Sequence, residues 1–497
     1  MKLTIKFFLF LAAVAMIFGS CTRNFEEINA NPNRPSEVST AFLLTAAQKQ
    51  LMDHTWDEWW NGRRGNQLAQ YWSSNQYSSE SRYQLRTSVT NDYWIYFYAG
   101  RDATTQPNGG GMADLQEIIR LNTEFPEDYA GYGDNVNQIA VANIMKAWVF
   151  QNLTDCFGAI PFSEALKGSE FPNPKYDSQE QVYMGILGLL NSALSSMNES
   201  GTGPQGDVIY GGDMTQWKKF ANSLKLRAAM RIADVSTHAE HNVEEAISGG
   251  VFGSNGDNAH FNYLSGPPNN NPLNEDRKTR NDFAGSNVMV DYLLSLNDPR
   301  IDEYLNTPAS GGGHVGEVYG LTEENAALTP DASISQRSDK VLAAEFPGTY
   351  MDYAEVEFFL AEACERGWLA ESAEDHYNAG IQASMMWWGI AQADIDTYMA
   401  QADVAYSTAP GTWREKIGSQ KWIALYMQGI EGWTEYRRLD FGILQQPADG
   451  ALSGDGDVIK RMQYPLDEQS LNGDSYSAAV AAQGADALET RLWWDEN

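Results

Sequence analysis

Apolar residues return every three or four positions along most of this 497-residue chain, and that spacing restricts it to a mainly α-helical fold. In residues 38–54 the stripe is Val38, Phe42, Leu43, Ala46, Ala47 and Leu51. Val136, Ile139, Ala140, Ile144, Ala147 and Trp148 form another, and Trp217, Phe220, Ala221, Leu224, Ala228 and Ile232 a third. The best-defined pair occupies residues 353–389. Val356, Leu360, Ala363 and Cys364 mark a first helix, Gly367 a break, and Ala373, Tyr377, Gly380, Ile381 and Ser384 a second helix ending at Gly389. Ala361, Ala363, Ala373 and Ala379 are small enough to let the two approach closely. A helical hairpin of about 34 residues resembles a tetratricopeptide unit, and a generic antiparallel pair has the same pattern.

Long irregular stretches separate the helical blocks: residues 105–111 with Pro107 and three glycines, residues 252–282 with Gly266-Pro267-Pro268, and residues 306–347 with Gly311-Gly312-Gly313. Loops of this length are functional or disordered. A helical scaffold that carries loops rich in Asn, Gly and aromatics is a binding architecture more often than a structural one.

The N-terminus points to export. Lys2 and Lys6 precede an apolar run over residues 7–18, which closes with Gly19-Ser20-Cys21. The run is too short to cross a bilayer, which takes roughly 20 residues, and has the form of a secretory signal peptide. The cysteine after Gly-Ser makes it a lipoprotein signal: residues 1–20 are removed and Cys21 carries the lipid. An ordinary signal peptide with an incidental cysteine is the alternative. Residues 21–37, with Glu26, Glu27 and Asn31-Pro32-Asn33-Arg34-Pro35, then form a tether. Acids soon after the cysteine resemble surface-export signals, or make a plain polar linker.

The formal charge is −32, and loss of Lys2 and Lys6 takes it to −34. Such a field repels nucleic acid and favours neutral or cationic ligands. Two cysteines remain besides Cys21. Cys156 and Cys364 both lie in apolar, helix-like contexts, where separate buried thiols are expected rather than a disulfide.

Residues 56–98 are crowded with aromatics, among them Trp56, Trp59, Trp60, Tyr71, Trp72, Tyr77, Tyr83, Tyr93 and Tyr96. Sugar rings expose flat C–H faces that Trp and Tyr cover, while amides such as Gln67, Gln70, Asn75, Gln76 and Gln84 bond the hydroxyls. Most of these rings belong to a core. Trp72, Tyr77 and Tyr83, set among Ser and Asn, are the expected exposed set, so Trp72→Ala is expected to weaken ligand binding without unfolding the protein. Metal signals are poor. His238 and His241 lack a third ordered ligand, and Asp455-Gly456-Asp457 lacks the closing Glu of a calcium loop, so no metal or cofactor is expected. Carboxylates are too numerous to nominate a glycosidase pair.

Eight segments in order carry a resemblance: Cys21 with Phe25-Glu26-Glu27-Ile28-Asn29 and Asn31-Pro32-Asn33; Thr154-Asp155 with residues 157–166; residues 217–227; Asn297-Asp298-Pro299-Arg300; Ala354-Glu355-Val356 with residues 360–363; residues 420–425; Gly432-Trp433-Thr434-Glu435-Tyr436-Arg437-Arg438; and Tyr464-Pro465. Together they resemble the SusD/RagB family of outer-membrane nutrient-binding lipoproteins, in particular its SusD-like second branch. Cys156 departs from the bulkier residue usual there, which touches packing. Physically, the basic residues Lys218, Lys219, Lys225, Arg227 and Arg231 are a solvated or carboxylate-paired face. Glu435 and its neighbouring arginines are expected to form ion pairs.

The resemblance implies one SusD-like domain over residues 38–497, built of tetratricopeptide-like helical pairs with an irregular, loop-rich ligand-binding subdomain. It implies a lipid-anchored outer-membrane protein facing the cell exterior that captures an oligosaccharide or a peptide. Delivery is to a SusC-like TonB-dependent channel, with no enzymatic activity; a lipid-anchored glycoside hydrolase is the rival from another class. By analogy of position, the middle loop would join the N-terminal aromatics at the site through Tyr263, Asn274, Arg280, Asn281 and Phe283, beside Arg277 and Asp282. A flexible crown loop is the other reading of that segment.

Overall fold

Ser39 opens the first helix, α1 (Thr40–Trp56), by accepting the Phe42 N–H on its hydroxyl. In this computed structural model, residues 38–100 and 109–496 are described. The signal peptide, Cys21 and the tether to residue 37 lie outside them, as do residues 101–108, which include the start of the first irregular stretch. Helix α1 buries Leu44, Ala47, Leu51 and Met52, while Phe42 is 74% exposed. Phe42 was placed in the apolar stripe, but it stands two positions from Leu44, more than half a turn around the helix. The buried face is set by Leu44, not by the longest run of apolar residues.

Helices α2 (Thr87–Ala99) and α3 (Met112–Glu124) follow, and then the chain proceeds in pairs. Helix α4 (Asn135–Phe157) packs on α5 (Gln179–Ser196), α6 (Met214–Arg231) on α7 (Ala239–Gly249), α8 (Tyr353–Glu365) on α9 (Ala373–Trp388), and α10 (Trp413–Ala424) on α11 (Gly429–Leu439). The fold is mainly helical, as the periodicity predicts. The pair α8–α9 matches the predicted hairpin closely. Gly389 ends α9 in the left-handed region at φ 88°, and Gly380 admits the Phe358 ring where a Cβ would stand 3.0 Å away.

The basic face of α6 is paired with carboxylates along its length. Lys218, Lys219 and Lys225 meet Glu199, Asp257 and Glu245 at 2.6, 2.8 and 2.6 Å. Arg227 binds Glu355, and Arg231 binds Glu431 and Glu435; both arginines are buried. Cys156 is buried and Cys364 half-buried, and both thiols are free. Burial pushes the Cys156 thiol above its ordinary range.

Two features between α1 and α2 position the site. First, Asp57 accepts the N–H groups of Trp59 and Trp60, and the chain then winds as a wide π-helical run over Glu58–Asn66. Helix α11 lies backbone to backbone on this run: a Cβ on Gly429 would fall 2.1 Å from the Gly65 carbonyl carbon. Second, strand β1 (Trp72–Ser74) pairs antiparallel with a strand from the middle loop, Phe283–Gly285, matching Trp72 with Gly285 and Ser74 with Phe283. Residues 252–282 also contain a strand, Ala259–Phe261, paired with Gly348–Met351, and a short helix, Pro272–Arg277. No helix of the described residues is long and apolar enough to cross a membrane.

Candidate functional site

The pairing of β1 with Phe283–Gly285 carries segments more than 200 residues apart in sequence to one surface. The ladder extends through the Asn75 N–H, which donates to the Asp282 carbonyl at 3.1 Å. Two residues further, Tyr77 stands at φ 55° and is 44% exposed. A non-glycine residue with positive φ is uncommon and is held only where its surroundings impose it. Two guanidinium groups lie over the ring of this residue. Arg63 lies 5.6 Å and Arg280 5.1 Å from the Tyr77 ring centre. Both arginines donate to the same Asp282 oxygen, Arg63 at 2.6 Å and Arg280 at 2.9 and 2.5 Å. The Asp282 bonds raise the Arg280 pKa, so its charge is fixed.

A second carboxylate organises the amides. Asp331 accepts the Asn75 amide at 3.0 Å on one oxygen and the Asn281 amide at 3.0 Å on the other. Asn281 also donates to Gln336 at 3.0 Å. Beside Arg63, Trp59 has two guanidinium groups over its ring, Arg63 and Arg86, each 4.9 Å from the ring centre.

The structure sorts the eight candidate residues. Tyr77, Arg280 and Asn281 form the surface. Trp72 and Phe283 lie beneath it, both fully buried, with ring centres 5.6 Å apart and the Arg337 guanidinium 5.0 and 5.3 Å from them. Trp72 also donates its indole N–H to the Tyr426 hydroxyl at 3.1 Å. The expectation that Trp72 is exposed is therefore corrected. Tyr83 is likewise buried, as is Tyr263, which packs on Phe261 at 4.9 Å away from this surface. Asn274 braces the middle loop, donating to the Leu342 carbonyl at 2.8 Å and accepting from Asn270 at 3.0 Å. Gln67 and Gln70 are also buried, bonded to Ser74 and to the Gln445 carbonyl. Arg63, Trp59, Arg86 and Asp331 were missed. Trp59 belonged to the noted aromatic segment, but Arg63 is a polar residue inside a π-helix and has no periodic signature.

Glu58, at the start of the π-helical run, has its carboxyl pushed up to about 8, first by burial and then by a hydrogen bond to Asp276 and its charge, against the pull of Arg63 and Arg280. Its ordinary value is 4.5, so the folded state holds a proton that the unfolded chain releases. The resulting stabilisation is complete below pH 4.5 and is lost as pH rises through about 8. The thermal midpoint of the wild-type chain should thus fall relative to that of Glu58→Gln across this window. Parallel midpoints from pH 5 to 9 would refute the shared proton.

Chemically, the surface offers an exposed tyrosine, amides fixed by Asp331, and two arginines tied to one carboxylate, Asp282, which offsets one of their two charges. It suits a ligand with apolar ring faces and many hydroxyls rather than a strong ion.

A family model described as starch-binding and associating with the outer membrane, SusD-like, matches residues 32–465. Among solved structures, a chitin-binding protein is 29% identical, with 92% of this chain and 100% of that chain covered and a TM-score of 0.78. A SusD homologue from Parabacteroides distasonis is 24% identical over 92% of this chain and 98% of its own, with a TM-score of 0.79. A chitin-binding SusD homologue from Flavobacterium johnsoniae is 23% identical over 92% and 98%, with a TM-score of 0.75. These last two likenesses concern the fold. No curated protein is similar enough in sequence to match.

Proposed function

The chain belongs to the SusD-like family, described as starch-binding and associated with the outer membrane, and on that premise we propose that it captures an oligosaccharide on the cell surface through the Tyr77 face. The observation that carries this reading is the exposed Tyr77, at positive φ with two guanidinium groups within 5.6 Å of its ring centre and beside the Asn75–Asp331–Asn281 bridge. The 29% identical structure is of a chitin-binding protein, which favours a neutral glycan. On the same reading Cys21 carries the lipid, residues 21–37 are the tether, and residues 38–497 form one SusD-like domain. Captured ligand is passed to a SusC-like TonB-dependent channel. The protein acts by binding, without a chemical step.

Isothermal titration of the full chain in detergent, against malto-oligosaccharides, N-acetylglucosamine oligomers and mixed peptides, tests the reading. Binding of one glycan class with a negative heat-capacity change is the expected result. Binding to peptides alone would replace the glycan with a peptide ligand, and release of sugar during the titration would make the protein a hydrolase.

A further inference from the structure

Beside Trp59 is a hollow of about 180 Å³, lined also by Arg86, Ser88, Asp92, Tyr93 and Tyr96. A cavity of about 150 Å³ accommodates benzene, so this one has room for a six-membered ring whose substituents face the opening. Three of its walls are aromatic. Trp59 is fixed by the two guanidinium groups, Tyr96 stacks on His54 at 4.1 Å and 12°, and Tyr93 is anchored by its hydroxyl to Asp57. Each ring is therefore immobilised before any ligand arrives, which lowers the entropic cost of binding. Arg86 and Ser88 are exposed at the rim, with Asp92 beside them, giving donors and acceptors whose charges offset each other.

The hollow is linked to Tyr77 by one buried side chain: the Arg63 guanidinium is 4.9 Å from the Trp59 ring centre and 5.6 Å from the Tyr77 ring centre, so the two rings lie no more than about 10.5 Å apart. That span is shorter than an oligosaccharide of several units. We infer that the hollow beside Trp59 is a second sugar subsite, taking one neutral pyranose unit of the same oligosaccharide that crosses Tyr77. This deepens the glycan reading and rests on it. A ligand spanning both positions gains affinity with chain length, because the second contact costs little further loss of freedom.

The test is titration of the full chain in detergent with maltose against maltohexaose, and with the N-acetylglucosamine dimer against its hexamer. In the wild-type chain the hexamer of the bound class should bind at least about tenfold more tightly than the dimer. Ser88→Trp, which fills the hollow from an exposed position, should bring that ratio close to one, and Trp59→Ala should do the same. A ratio in Ser88→Trp equal to that of the wild type overturns the subsite and leaves the glycan reading standing. Loss of dimer and hexamer binding together in Ser88→Trp overturns it in favour of a single site. If neither sugar series binds the wild-type chain, the glycan reading falls and the subsite with it.

Discussion

Glu435→Ala lowers the stability of the protein by about 3–5 kcal/mol, the cost of removing one partner from a buried, hydrogen-bonded ion network. Glu435 is fully buried on α11. Its carboxylate accepts from Arg231 of α6, and from Arg438 of its own helix at 3.1 and 2.7 Å, with the Lys421 ammonium of α10 at 3.0 Å. Although burial opposes ionisation, these cations hold the Glu435 carboxyl well below its usual range. Alanine would leave three buried cations to share Glu362, Glu431 and Asp155. Arg438 already uses both Glu362 oxygens at 2.6 Å, so there is little capacity to absorb the loss. The network joins α6, α8, α10 and α11, and the variant should loosen the packing of one helical pair on the next. Urea unfolding followed by tryptophan fluorescence gives the measurement. A loss below about 1 kcal/mol would mean that water reaches the site and screens the unpaired charges.

That network was largely legible from the sequence. Arg231, Glu435 and Arg438 stand in helical segments where a charged residue at regular spacing among apolar ones must find a partner, and the chain has acids in excess. The α8–α9 hairpin was legible for the same reason: a 3.6-residue period records burial locally, and Gly389 marks the end by its conformation. The site was legible only in part. Tyr77 was named from its aromatic, Ser- and Asn-rich setting and Arg280 and Asn281 by analogy of position with the family, but their meeting depends on a three-residue strand pair linking positions 72–74 to 283–285, for which the sequence has no local signal. Trp72, Tyr83 and Tyr77 look alike in sequence, each an aromatic amid Ser and Asn. What separates them is the tertiary partner: Phe283, Arg337 and Tyr426 close over Trp72, and Tyr83 is buried although it shares the left-handed backbone of Tyr77, whereas Tyr77 stays 44% exposed.

This difference sets the second large effect. Trp72→Ala destabilises the protein by about 3–5 kcal/mol, the range for deleting a fully buried large aromatic. The cavity would remove the floor beneath Phe283 and leave the Tyr426 hydroxyl and the Arg337 guanidinium without the indole they contact. Any loss of ligand affinity in that variant would follow from disorder of the Tyr77 surface above it. Tyr77→Gly makes the opposite case. Glycine accepts φ 55° without a steric penalty, and the relief offsets the two lost guanidinium contacts, so stability should stay within about 1 kcal/mol of the wild type. Ligand affinity should fall at least about tenfold, equivalent to about 1.4 kcal/mol, because the exposed ring face is gone. Measuring both variants for unfolding and for binding decides between scaffold and contact. If Trp72→Ala unfolds like the wild type but fails to bind, the indole must become accessible in solution, and the ligand face extends inward from Tyr77. If Tyr77→Gly binds normally, the strained backbone serves packing alone, and the glycan contacts must be sought elsewhere on the protein.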